Sequence, residues 1–235
     1  MRDVRAVLFD TFGSVVDWRS SLIAELSAFG QARGLVVDWA AFTDAWRGAY
    51  KPSMDKVRTG VLPWTILDVL HRASLEELVA RFDVRGLDEA DLDHLTRAWH
   101  RLTPWPDSVA GLTRLKRKYI IGPLSNGNVA LLVNMSKHVG LPWDVVFGSE
   151  TFRHFKPDPE VYLGACAMLG LQPGQVMMAA AHNYDLAAAQ ALGLRTGFFA
   201  RPTEYGPHQM RDFKAEGAWD VIATDIEDLA SQMGA

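Results

Sequence analysis

Between residues 119 and 200 short apolar runs alternate with amphipathic ones, and that alternation confines the chain to a few folds. "YIIGPLS" (119–125), "WDVVFG" (143–148), "QVMMAAA" (175–181) and "RTGFFA" (195–200) read as buried strands. Between them, "NVALLVNMSKHVG" (128–140), "PEVYLGACAMLG" (159–170) and "DLAAAQALG" (185–193) read as helices. Gly140 closes the first, and Pro159 and Gly170 bracket the second. Short apolar strands separated by helices predict a parallel sheet covered on both faces. A further strand at 7–9 joins the same sheet.

Residues 18–103 carry a different signal. "WRSSLIAELSAFGQARG" (18–34), "WAAFTDAWRGAY" (39–50), "PWTILDVLHRASLEELVARF" (63–82) and "LDEADLDHLTRAWHRL" (87–102) all read as helices. In the last, Leu92, Leu95, Trp99 and Leu102 recur at helical spacing. The expected architecture is α/β: a Rossmann-like parallel sheet core with an inserted helical cap. The core spans 1–17 and 99–235 and the cap 18–98, with the return marked by the two prolines of "TPWPDS" (103–108).

Composition narrows the class. With 235 residues and 49% hydrophobic content, the chain can build a sizeable core. A net charge of −4 gives no basic footprint for nucleic acid. No apolar run approaches the roughly 20 residues that cross a bilayer, so no membrane partner is expected. The chain enters its first strand without a signal-peptide hydrophobic region. The single cysteine, Cys166, leaves no internal disulfide framework, which fits a cytoplasmic location.

In parallel sheets of this kind ligands bind beyond the carboxyl ends of the strands. Four polar groups fall there: Asp10, the Ser125–Asn126 pair, Lys156, and "HNYD" (182–185). Asp10 reads as a nucleophile or metal ligand, with turn capping as the competing role. Lys156, in "FKPDP", reads as a cation that holds Asp10 ionised. Ser125 and Asn126, in "LSNGN", read as donors for a small anion, or as a plain polar turn. Asp185 opens a helix, so it either caps that helix or orients a water. His182 is a satisfied loop histidine or a pocket hydrogen-bonder. Arg47, in "AWRGAY", lies on a predicted cap helix beside Trp46 and Tyr50.

These residues resemble the haloacid dehalogenase superfamily and, within it, the type II (L-2-haloacid) dehalogenases. The resemblance runs end to end through "FDTFGSVVDWR", "AWRGAY", "LSNGN", "FKPDPEVY" and "AAHNYDLAAA". It implies a covalent mechanism without a metal or other cofactor, in which Asp10 is the nucleophile and Lys156 balances the aspartate charges. It implies that Ser125 and backbone amides near Thr11 and Phe12 hold the substrate carboxylate. Arg47, Asn126 and Tyr184 would form the halide site, Tyr162 would lie near the nucleophile, and Asp185 would position or activate the hydrolytic water. The implied partners are a small halogenated carboxylic acid, a halide ion and a second copy of the chain.

Two departures stand out. Family members carry Ser and Asn where this chain has Ala180 and His182, so His182 is a candidate to orient the water. The superfamily's phosphatases use an acid two residues after the nucleophile and another four before the equivalent of Asp185. Those positions are Phe12 and Ala181 here, which depletes a Mg²⁺ site and removes the acid an alkoxide leaving group needs. A halide leaves without a proton. The expected reaction is therefore hydrolytic dehalogenation of haloacetates and L-2-haloacids to 2-hydroxy acids. The alternatives are a covalent-aspartate hydrolase with another leaving group, such as azetidine-2-carboxylate, a Mg²⁺-dependent phosphatase, or a non-catalytic binding protein. Trp39, Trp46 and Trp64 either narrow the pocket or belong to the core.

Overall fold

Five parallel strands, β1 (Ala6–Phe9), β4 (Ile120–Pro123), β5 (Val176–Ala180), β6 (Arg195–Phe199) and β7 (Val221–Ala223), form one sheet in the order β4-β1-β5-β6-β7. The computed structural model describes residues 3–235. Strand residues alternate between two cores, as the period of two requires. Val7 and Phe9 pack with Leu112 and Leu115 of α5 (Ser108–Lys116), Leu131 of α6 (Val129–Val139) and Leu229 of α10 (Ile226–Gln232). Ala6 and Leu8 pack with Val161 and Ala165 of α8 (Pro159–Met168) and Leu186 and Ala189 of α9 (Asn183–Ala191). Both faces are covered, which is why the central strands β1 and β5 read as unbroken apolar runs. Phe9 lies level with Pro123 and Ala179, so the residues after β1, β4 and β5 emerge along one edge.

The helices of 18–100 stand between two very short antiparallel strands, β2 (Val16–Asp17) and β3 (Thr103–Pro104), which pair as a neck. They are α1 (Trp18–Arg33), α2 (Trp39–Arg58), α3 (Leu67–Arg81) and α4 (Glu89–Thr96), with a 3₁₀ turn at Arg97–His100. Aspartates start three of them. Asp17 accepts from the Ser20 amide and Asp38 from the Ala41 amide, and Asp88 forms a capping box with Asp91. Polar links tie this layer to the starts of α6 and α8. Asp68 and Asn128 exchange hydrogen bonds at 2.9 and 3.2 Å, and Arg58 reaches Asp158 at 2.6 Å.

The structure corrects the sequence reading in several places. Residues 143–148 form no strand; only Phe147 bridges, to Leu124. The cause is Asp144, whose carboxylate takes the Ile121 amide at 3.0 Å, where a strand would present a carbonyl. Helix α2 runs past Tyr50 and through Pro52 to Arg58. The sequence pattern does not show the neck strands, α5, the short α7 (Ser149–Phe152), β7 or α10. No helix among the described residues is long and apolar enough to cross a membrane.

Candidate active site

Asp10 follows β1 directly and is buried, with its amide bonded to Ala179 O at 3.1 Å. The Thr11–Ser14 turn folds back so that the Ser14 hydroxyl donates to Asp10 Oδ2 at 2.7 Å and accepts from the Ala181 amide at 2.9 Å. Gly13 holds this turn at φ +87°, and a Cβ there would lie 2.1 Å from Glu204 Oε1. Only glycine satisfies both demands.

Two cations converge on Asp10. Lys156 Nζ donates to Asp10 Oδ1 at 3.0 Å and to Asp185 Oδ2. The lysine comes from the loop before α8, and Asn126 Oδ1 anchors that loop by accepting from the Lys156 amide at 2.7 Å. Tyr162, on α8, donates to Asp185 Oδ1 at 2.5 Å. On the other side, His182 Nδ1 stands 2.9 Å from Asp10 Oδ2 and Nε2 stands 2.9 Å from Glu204 Oε2. Glu204 is fully buried and accepts at Oε1 from Trp18 Nε1 at 2.9 Å.

The electrostatics follow from burial and pairing. Burial opposes the Asp10 charge, yet Lys156, His182 and Ser14 hold its carboxyl well below the usual carboxylate range. Burial likewise works against the Lys156 charge, but Asp10 and Asp185 push its ammonium above its ordinary value. Burial raises the Asp185 carboxyl despite Lys156, and the Asp10 charge adds to the rise. His182 also overcomes burial: Glu204 and Asp10 lift its imidazole well above the ordinary value. Burial would raise Glu204, but His182 leads a set of partners that lowers it.

Arg47, Tyr50, Asn126, Lys156, Tyr184 and Tyr205 line a cleft of about 790 Å³ between the helical layer and the sheet edge. The Arg47 guanidinium lies 4.2 Å from the Tyr50 ring centre and 5.3 Å from that of Trp18, and its buried Nη1 has no hydrogen-bond partner among the described residues. Tyr184 stacks on His182 at 5.7 Å. Ser125 is buried and its hydroxyl accepts from the Gly127 amide at 3.1 Å. Among the described residues, no acceptor takes the amides of Thr11 or Phe12, and the buried Thr11 hydroxyl is also unpartnered. Phe12 meets Trp99 and Tyr50 edge-on at 5.8 and 6.3 Å, an apolar wall beside these donors.

The site therefore brings Asp10, Lys156, Asp185, Tyr162, His182 and Asn126 into one bonded network. Arg47 and Tyr184 share the cleft with Asn126 and Lys156, and Thr11, Phe12 and Ser125 occupy the turns beside Asp10. Tyr162 reaches Asp185 rather than Asp10 itself. Trp39 and Trp46 belong to the core, and Trp64 packs on Phe155 at 4.9 Å. Sequence reasoning missed Ser14, Trp18 and Glu204. Ser14 was open to discovery as a hydroxyl in the turn after the nucleophile; nothing local marked Glu204. As for Mg²⁺, Lys156 Nζ stands between the two carboxylates, and Phe12 and Ala181 offer no oxygen beyond their backbones. The donor set does not fit that ion.

The family profile described as a haloacid dehalogenase-like hydrolase matches residues 4–193. The defluorinating L-2-haloacid dehalogenase Rha0230 superposes with a TM-score of 0.96 at 53% identity, covering 99% of this chain and 96% of that one. The L-2-haloacid dehalogenase PA0810 gives a TM-score of 0.96 at 54% identity, over 98% and 99% of the two chains. The (S)-2-haloacid dehalogenase 4A of Burkholderia cepacia is 26% identical over 240 residues, 97% of this chain and 98% of the relative. With an ionised strand-end aspartate, its lysine and the cap arginine all in place, the chain belongs to the haloacid dehalogenase-like hydrolases and, within them, to the L-2-haloacid dehalogenases.

Proposed function

We propose that the protein hydrolyses the carbon–halogen bond of short 2-haloalkanoic acids, giving 2-hydroxy acids through an ester on Asp10. The observation that carries this is the buried, doubly paired Asp10 beside a cleft that holds the unpartnered Nη1 of Arg47. The free amides of Thr11 and Phe12, with Ser125, suit the substrate carboxylate. Asp10 displaces halide in line from the adjacent carbon, and halide departs toward Arg47, Asn126 and Tyr184. Holding nucleophile and carbon in line supplies on the order of several kcal/mol. Water, held near Asp185 and His182, then attacks the Asp10 carbonyl and releases the hydroxy acid. The cap at 18–98 closes the cleft over the core at 1–17 and 99–235, of which residues 1–2 lie outside the described residues.

The substrate range includes fluoro acids. A relative at 53% identity is described as defluorinating, and fluoride needs strong donors, which Arg47 and the Tyr184 and Asn126 side chains supply. The reading extends to a cytoplasmic homodimer, supported by the family resemblance and the single buried cysteine. Light scattering checks the dimer and cell fractionation the location. The test of the activity is halide release from chloro-, bromo- and fluoroacetate and both 2-chloropropionate enantiomers, with EDTA and with Mg²⁺. The expected result is EDTA-resistant release that Asp10→Asn abolishes. Mg²⁺-dependent phosphate release from p-nitrophenyl phosphate, with no halide, would overturn the reading.

A further inference from the structure

The charge count around Asp10 singles out one group. Asp10, Asp185 and Glu204 face two cations, Lys156 and His182, all five side chains being buried. In the resting site each nitrogen of His182 has a carboxylate oxygen at 2.9 Å. An imidazole between two such acceptors carries both protons and has no lone pair to offer. It is not a base in that state. Asp185 is a poor candidate as well, since Tyr162 and Lys156 donate to both of its oxygens.

We propose that esterification of Asp10 converts His182 into the base of the second half-reaction, with Glu204 as the positioning residue that fixes its ring. The inference rests on the covalent-ester reading above. The ester carries no charge, so Nδ1–H loses its anionic acceptor while Lys156 remains across from it. The other groups facing the ring are Glu204 and the Tyr184 ring, with Arg47 beyond Glu204. Glu204 still accepts from Nε2–H, so the proton that leaves is the one on Nδ1, and it goes to solvent. The lone pair then lies next to the ester carbon.

The balance closes. Water gives one proton to Nδ1 and its oxygen bonds to Asp10 Cγ. The ester C–O bond breaks, and the departing alkoxide takes the remaining water proton to become the hydroxy acid. Asp10 returns as a carboxylate and His182 as an imidazolium. The net reaction consumes haloacid and water and yields hydroxy acid, halide and one proton. That proton is the one Nδ1 released on esterification. Three anions against two cations become two against one once Nδ1 has lost its proton in the ester, so the net charge of these five groups is the same in both states, and the resting arrangement returns with the product.

The wild-type protein supplies the first test. In a stopped-flow single turnover with a pH indicator, one proton per site appears with halide, before hydroxy acid. Proton release that coincides with hydroxy acid instead overturns the proposal. The second test is rapid quench and intact mass of Glu204→Gln. Ester accumulates, halide release in the first turnover changes less than about tenfold, and ester hydrolysis slows by about 10²-fold or more, the usual contribution of a general base. Its hydrolysis rate also loses the wild-type rise with pH, and Glu204→Asp restores part of both. Hydrolysis of the ester at the wild-type rate in Glu204→Gln overturns the inference and leaves the ester mechanism standing. Absence of any ester, with ¹⁸O from water passing to product and none to Asp10, overturns both.

Discussion

Two ion-pair arms leave Asp10 in opposite directions, and each places one cation between two buried carboxylates. The Lys156 arm ends on Asp185 and Tyr162, within 30 residues of the lysine in sequence. The His182 arm ends on Glu204 and then on Trp18, the first residue of the cap helices and 186 positions from Glu204. The first arm lies wholly in the core and its cation stays charged throughout the cycle. The second joins core to cap, and its cation has an ordinary pKa close to neutrality. The contrast teaches that the two cations are not interchangeable: lysine holds Asp10 ionised as a nucleophile, and histidine can gain and lose a proton around it.

Breaking the lysine arm should have the largest effect. Lys156→Met leaves Asp10 and Asp185 facing each other without their shared cation. The expected loss is about 3–5 kcal/mol of stability, the cost of stranding buried charge, together with essentially all halide release. Thermal melts and ion chromatography of halide measure the two. A variant that keeps wild-type stability would show that Asp185 simply takes up a proton when the ammonium is gone.

The histidine arm can be disturbed without changing any charge. Gly13→Ala forces a Cβ to within 2.1 Å of Glu204 Oε1 at a positive φ. The expected cost is about 2–4 kcal/mol, from overpacking and from the left-handed backbone together. Because Glu204 must move, this variant should hydrolyse its ester slowly while still forming it, which quenched-flow mass measurement resolves. Equal slowing of both steps would mean that the turn itself, not Glu204, carries the effect.

The arms also differ in pH dependence. The His182 pKa is raised in the folded protein, so its contribution is fully present below pH 6.5, its ordinary value, and is lost as pH rises through the folded value. The Lys156 contribution persists to 10.5 before the same loss begins. The stability difference between wild type and His182→Gln should therefore shrink as pH rises above 6.5, read from denaturant melts at pH 6.5 and 9. A constant difference across that window would mean that His182 is not held as an imidazolium.

The lysine arm was legible because each of its parts sits in a recognisable place. Asp10 follows four buried apolar residues, Lys156 precedes two prolines separated by an aspartate, and Asp185 opens a helix after β5. Glu204 lies in "RPTEYGPH", a loop with no period and two prolines. Its burial is decided by Gly13, Trp18 and His182, which only the folded chain brings to it. The same logic explains the fold. Strands β1 and β5 declare themselves by continuous apolar runs, whereas β2 and β3 have two residues each and no pattern to show. The run at 143–148 had the right composition, but one side-chain hydrogen bond from Asp144 redirected it.

The smallest expected effect tests how far the lysine arm depends on its end. Tyr162 donates to Asp185 Oδ1 at 2.5 Å, and burial, with Asp185 beside it, keeps the phenol protonated. Tyr162→Phe removes that donor and little volume. Asp185 keeps Lys156, so no buried charge is left unpaired, and the loss is that of one hydrogen bond to a charged group, about 1.5 kcal/mol. In a domain of this size that lowers Tm by roughly 3–6 °C. Asp185 then shares Lys156, the one side-chain donor left to it among the described residues, with Asp10, and the lysine shifts its balance toward Asp185. The nucleophile is held less firmly, so the alkylation step slows by a few-fold while ester hydrolysis, assigned to the other arm, keeps its rate. Single-turnover halide and hydroxy-acid time courses separate the two. Slower hydrolysis with unchanged halide release would move the water-activating role back to Asp185 and erase the functional difference between the arms.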